Sequence, residues 1–207
     1  FGEIKIAREM LNTTRLHVII RNRGGDFLYT PLELRRMEAD IDICRELNVD
    51  GVVFGCLTPN GDIDLEANRL LLSHAKGMSV TFHRAFDHCR NPRQALDDLM
   101  TLGFDRVLTS GQRPTAFEGI PLLCELQRRA GGRIKIMAGC GVNEQNIACI
   151  HKETGITNFH FSAREPIHSQ MKYVNPDVYM GSKDADETTI MVTTKRRVED
   201  IIQALLD

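Results

Sequence analysis

Residues 79–87 read Ser79-Val80-Thr81-Phe82-His83-Arg84-Ala85-Phe86-Asp87. Val80 and Phe82 are apolar and suit a layer of helices, so Thr81 and His83 fall on the opposite face of an extended segment. Helical periodicity precedes this run at 65–75 and resumes after it at 92–102. A short extended run held between two helical segments is the repeating unit of a parallel sheet.

Working outward, five more apolar runs bounded by turn residues occur at 16–21, 51–55, 106–109, 133–138 and 158–162. They recur about every thirty residues, each followed by a helical segment. Pro31 after Thr30 suits a first helical turn, and Leu34, Met37, Ile41 and Cys44 then form an apolar stripe. Further helical patterns cover 116–129, 144–151 and 198–206, and Gly103 and Gly155 stand where helices stop. The first element, 2–11, is helical where a parallel β/α chain should open with a strand. Two lost strands added to these six make eight, the number at which such a sheet closes into a filled barrel. The expected fold is therefore α/β, a (β/α)8 barrel of TIM type in one domain over 1–207, lacking its N-terminal strands and first helix. A doubly wound open sheet of these six strands is the alternative. Between 164 and 193 periodicity is lost among Pro166, Pro176, Gly181 and an acidic patch at 184–187, which predicts a lid, an interface or a mobile excursion.

Composition narrows the function classes. With 207 residues, 26% charged and 42% hydrophobic, the chain suits a globular protein rather than a disordered one. A net charge of −2 with dispersed Lys and Arg argues against nucleic acid as a partner. No apolar run is long enough for a membrane span. Six cysteines without a CxxC pair read as reduced thiols in a cytoplasmic protein, and the opening at Phe1 shows no signal-peptide pattern.

The same parity argument turns His17, Ile19 and Arg21 of the first run, and His160 and Ser162 of the last, toward the barrel interior. Arg21, His83 and Ser162 then lie at carboxyl ends of strands, the rim where barrel enzymes place their chemistry. Arg21 and Arg23, followed by Gly24, Gly25 and Asp26, offer two guanidinium forks to a small carboxylate or phosphate, with Asp26 limiting their orientation. Alternatively Arg21 and Asp26 form a structural ion pair beneath a loop. His83 and Asp87 are candidate acid and base. Gly139, Cys140 and Gly141 close a strand and open a helix at Asn143, a turn that lets backbone amides approach an anion, and Ser110-Gly111 extends that surface.

For a metal, the rim thiols are Cys56, Cys89 and Cys140. Cys56, His83, His88 and Cys89 follow neighbouring strands, and thiolate with imidazole suits Cu(I) or Zn(II). Free cysteine is also an ordinary small apolar residue. Cys44, Cys124 and Cys149 fall on helices and are expected to serve packing.

Arg21-Asn22-Arg23-Gly24-Gly25-Asp26-Phe27, then Thr81-Phe82-His83-Arg84-Ala85-Phe86-Asp87, then Arg106-Val107-Leu108-Thr109-Ser110-Gly111 together resemble the copper homeostasis CutC family. Segments 136–142 and 160–163 resemble later family segments, and the resemblance covers nearly the whole chain. It implies a (β/α) barrel, cytoplasmic and homo-oligomeric, linked by name to copper tolerance and proposed to bind copper. It also implies two strands and a helix ahead of Phe1, where the family's cysteines are attractive copper ligands. The shared residues Arg21, Arg23, Asp26, His83, Arg84, Asp87 and Ser110 look more like an anion-binding rim than a soft-metal cage. Two functions are thus carried forward: copper handling through Cys56, His83 and Cys89, or an enzyme acting on a small phosphorylated or carboxylated compound. A non-catalytic oligomer that uses the barrel as a scaffold is a third.

Overall fold

The computed structural model describes residues 1–175, 177, 178, 186 and 188–206. Six parallel strands form one sheet: β1 (His17–Ile19), β2 (Gly51–Phe54), β3 (Ser79–Phe82), β4 (Arg106–Thr109), β5 (Lys135–Gly139) and β6 (Asn158–His160). Their spatial order is their sequence order. A doubly wound sheet reverses its strand order at a switch point, and this sheet never does. It winds one way and curls, giving an α/β fold that is an incomplete TIM-type barrel, open between β1 and β6.

Helices α1 (Gly2–Met10), α2 (Pro31–Glu46), α3 (Leu65–His74), α4 (Pro92–Leu102), α5 (Ile120–Ala130), α6 (Ile147–Thr154) and α7 (Lys195–Leu206) complete the β/α alternation. Local chemistry sets their ends. Thr30 accepts from the Glu33 amide while the Glu33 carboxylate accepts from the Thr30 amide, a capping box with Pro31 in the first turn. Asp64 and Asn91 cap α3 and α4 in the same sense, and Gly103 and Gly155 end α4 and α6 in the left-handed conformation.

The core lies between sheet and helices. Val52, Phe54, Val80, Phe82, Val107, Ile136 and Ala138 meet Met37, Ile41, Leu71, Leu96, Leu99, Leu123 and Ile147 there. Each large side chain contributes roughly 1.5–3 kcal/mol by leaving water. The apolar parity of the strands is thus spent outward, which leaves the inner face to other residues.

Three expectations need correction. α5 begins at Ile120 rather than 116, because Thr115 and Glu118 close a turn first. α6 begins at Ile147 rather than Asn143, since the Asn143 and Asn146 side chains both donate to the Gly141 carbonyl and hold a separate turn. Within 164–193, β7 (Arg164–His168) pairs antiparallel with β8 (Thr189–Thr193), in register from Arg164 opposite Thr193 to His168 opposite Thr189. Pro166 masks this ribbon in the sequence, because proline is tolerated only where a ladder has an open edge. Pro176, Gly181, Asp184 and Glu187 lie outside the described residues.

Candidate functional site

β3 ends at Phe82 and the chain enters a 3-10 turn, Arg84–His88, capped by His83. That turn swings Arg84 and Asp87 onto the carboxyl rim beside the end of β4. The Asp87 side chain is 5% exposed and accepts from Arg84 Nε at 2.7 Å, the Ser110 amide at 3.0 Å, the Gln112 amide at 3.1 Å and the Thr109 hydroxyl. These donors occupy most of the acceptor sites of the carboxylate. Its task is to fix Arg84, whose Nη2 also donates to Ser110 Oγ at 3.0 Å, while Ser110 Oγ donates to the Arg113 carbonyl at 2.6 Å. In this arrangement Asp87 orients Arg84. Among the described contacts, Arg84 Nη1 keeps its donors.

His83 is 3% exposed. Its Nδ1 accepts from the Ala85 amide at 3.3 Å, so in the neutral ring the proton sits on Nε2, which is buried with no partner. Burial first, and the Arg21 charge second, push its pKa down to about 4. At neutral pH it is an uncharged hydrogen-bond donor rather than an acid-base group poised near 7. The ring packs edge-on against Phe27 at 5.0 Å, and Arg21 covers Phe27 from 4.6 Å. Gly55 leaves room for it, since a Cβ there would lie 2.8 Å from His83 Nδ1.

His83 lines a cavity of about 470 Å³ on the inner face of the sheet. His17, Thr81, Arg106, Asn158 and His160 share the lining, with Ile19, Val53, Leu108 and Met137 as its apolar part. Barrel interiors are ordinarily filled by branched aliphatic layers, so this one is unusually polar. His17, Ile19, Thr81, His83 and His160 line the cavity as strand parity expects, Ile19 and His160 exposed on its open side, whereas Ser162 lies beyond the end of β6, outside the lining, and its carbonyl accepts from Thr193. His160 is lowered in pKa by burial and then by Arg84, and His17 by burial and then by Arg106. Arg106 was not singled out from the sequence. Its signal was present in parity: Val107 faces outward, so Arg106 and Leu108 must face in.

The first rim loop behaves differently from the expected pair of forks. Arg23 spends its donors inside the loop, on Glu33 at 2.6 Å, on the Gly24, Asp26 and Leu28 carbonyls, and on the Asp26 carboxylate at 2.9 Å. Asp26 therefore restrains Arg23, not Arg21. Only Arg21, which donates to the Gly25 carbonyl at 2.8 Å, stays at the mouth near His83. In the glycine turn, Gly139 allows close packing, for a Cβ would sit 2.5 Å from Leu108 Cδ1. Gly141 has φ of +73° and its carbonyl is held by Asn143 and Asn146, so the turn is braced by asparagines rather than opened by a helix start.

The thiols fit a soft metal poorly. Burial pushes Cys56 and Cys89 up to about 12, while the reactive ligand is a thiolate. Cys89 is further occupied by Gln112 Nε2 at 3.4 Å from its sulfur. Among the described residues, no group of three or more His, Cys, Asp and Glu is arranged to hold a metal ion, so Cys56, His83 and Cys89 form no such set. Of the helical cysteines Cys44 is buried, but Cys149 is exposed and serves no packing.

Comparison with known proteins bears on this arrangement. The CutC family profile matches residues 1–165. The chain belongs to the CutC family. A CutC family protein of Bacteroides thetaiotaomicron is 60% identical over 206 residues, covering 99% of this chain and 83% of that one. A crystal structure of a CutC from Streptococcus agalactiae, described as a candidate copper homeostasis protein, superposes with a TM-score of 0.74 at 40% identity, covering 77% of this chain and 79% of that one. An aldolase aligns with a TM-score of 0.61 at 16% identity, covering 76% and 72%, a likeness of fold alone. CutC membership accounts for the barrel. Among the described residues no helix is long and apolar enough to cross a membrane.

Proposed function

We propose that this CutC protein is an enzyme acting on a small carboxylated or phosphorylated compound, bound in the barrel cavity with an oxygen on His83 Nε2. The observation that carries the reading is that buried, unpartnered Nε2, part of a ring lining the cavity. A buried donor without a partner costs about 1–3 kcal/mol, which a ligand oxygen returns on binding. A neutral imidazole donor stabilises negative charge that develops on that oxygen during reaction. Arg84, held by Asp87 and Ser110, and Arg21 at the mouth supply the positive charge that selects an anion.

The proposal includes a single barrel domain over 1–207, a cytoplasmic setting suited to six free thiols, and homo-oligomers. Exposed Ile167, Ile190 and Met191 on the β7–β8 ribbon favour the last point. The test is calorimetric titration with butyrate and inorganic phosphate. Binding should be weakened about tenfold or more by His83→Gln and by Arg84→Gln. Heatless titrations, or equal affinity in both variants, would overturn the site.

Copper handling is the second reading, favoured by the description of the Streptococcus relative. It requires Cys56 and Cys89 to deprotonate in place. Stoichiometric Cu(I) binding against a competing chelator, lost in a Cys56→Ser, Cys89→Ser double variant, would support it.

A further inference from the structure

We infer that Arg106 anchors a second anionic group on the barrel floor, so that the compound held in the cavity is a dianion with a short spacer. This inference rests on the rim reading and adds the class of ligand.

Arg106 is the first residue of β4 and stands opposite Thr81 of β3 in the sheet register. Its Nη1 donates to Thr81 Oγ1 at 2.9 Å, and its Nε is buried with no partner. Among the described residues no carboxylate pairs with it. The adjacent Asp105 turns its Oδ2 to the Val80 amide at 2.7 Å instead. The groove beneath offers no relief, because Arg15, Arg133 and Lys135 border it along with Arg106, and Asp105 is its only acid among the described residues. His17, which lines the cavity with Arg106, is held toward its neutral form by burial and by Arg106 itself.

A guanidinium keeps its charge at every working pH, and a half-buried one without a counter-ion carries a desolvation penalty that an incoming anion offsets. Floor and rim are built on the same strand, Thr81 and His83 lying two residues apart, so their ligand positions are separated by roughly 7 Å. Apolar side chains flank both levels, Ile19 and Val53 in the floor layer with Thr81 and Arg106, and Leu108 and Met137 one inward-facing step above. A two-headed anion with a short aliphatic spacer matches these surfaces, whether its second head is a carboxylate or a phosphonate-like group.

The test compares butyrate, glutarate, adipate and 3-phosphonopropionate by calorimetry on the wild-type protein and on Arg106→Gln and Arg106→Met. Gln retains a donor for Thr81 Oγ1 without the charge, which guards against a variant that merely misfolds. At least one dianion should bind about tenfold or more tighter than butyrate, and both variants should abolish that preference. Dicarboxylates ahead of the phosphonate, or the reverse, identify the second head. Butyrate binding that depends on Arg84, with no preference for any dianion, would overturn the floor anchor and leave the rim reading intact. The same holds for a preference that survives in Arg106→Gln. No binding of any of the four would sink both.

Discussion

Asp87 Oδ2 lies 2.7 Å from Arg84 Nε, and the same carboxylate receives the amides of Ser110 and Gln112. One buried acid thereby joins the turn after β3 to the loop after β4 and aims a guanidinium at the rim. Arg84 is useful to an anion because Asp87 holds it by one edge only.

Asp87→Asn puts an amide against donors it cannot all satisfy. Stability should fall by about 2–3 kcal/mol, read as a lower urea midpoint at unchanged slope. Anion affinity should fall with it as Arg84 loses its orientation. An unchanged midpoint would remove Asp87 as the hub.

Acid should destabilise the fold through His83. Its folded pKa is about 4 against an ordinary 6.5, so between those values the unfolded chain binds more protons and stability drops as pH falls. The loss reaches about 3 kcal/mol at pH 4, with His17 and His160 shifted in the same direction. His83→Gln should flatten the slope between pH 6.5 and 4, and an identical slope in the variant would contradict the assignment.

Gly55→Ala places a Cβ 2.8 Å from both His83 Nδ1 and Phe82 Cζ. The ring must shift, at a cost of roughly 1–3 kcal/mol, and anion binding should weaken together with the thermal midpoint. Retention of both would show that the ring position is not fixed from beneath.

Cu(I) affinity measured against a chelator should be the same in the wild-type protein and in the Cys56→Ser, Cys89→Ser variant. The thiols are buried and held far from the thiolate, and they belong to no three-ligand set among the described residues. Affinity that collapses in the variant would return copper to this site.

The strand runs and their parity were legible because outward apolar residues recur with period two, and that sufficed to put His17, Thr81, His83 and His160 on the inner face of the sheet. Roles were less legible. Arg23 and Arg21 stand two apart in one motif, yet Glu33, ten residues beyond Arg23, decides that Arg23 is structural. Asp87 reads as an acid, and its donors Thr109, Ser110 and Gln112 come from another loop. Arg106 opens a strand and resembles an ordinary polar flank, although the outward Val107 beside it turns it toward the cavity. The β7–β8 ribbon escaped notice because its two strands are separated by twenty residues and one contains Pro166.

The central claim is that neutral His83 donates its Nε2 proton to an anion. Nitrogen-15 NMR of histidine-labelled protein at pH 7 tests it by following the His83 Nε2–H signal as butyrate or phosphate is added. The account predicts a protonated Nε2 and an unprotonated Nδ1 before addition, and a saturable downfield shift of the Nε2 proton that Arg84→Gln weakens. A ring protonated at Nδ1, or a signal unmoved by either anion, would contradict it.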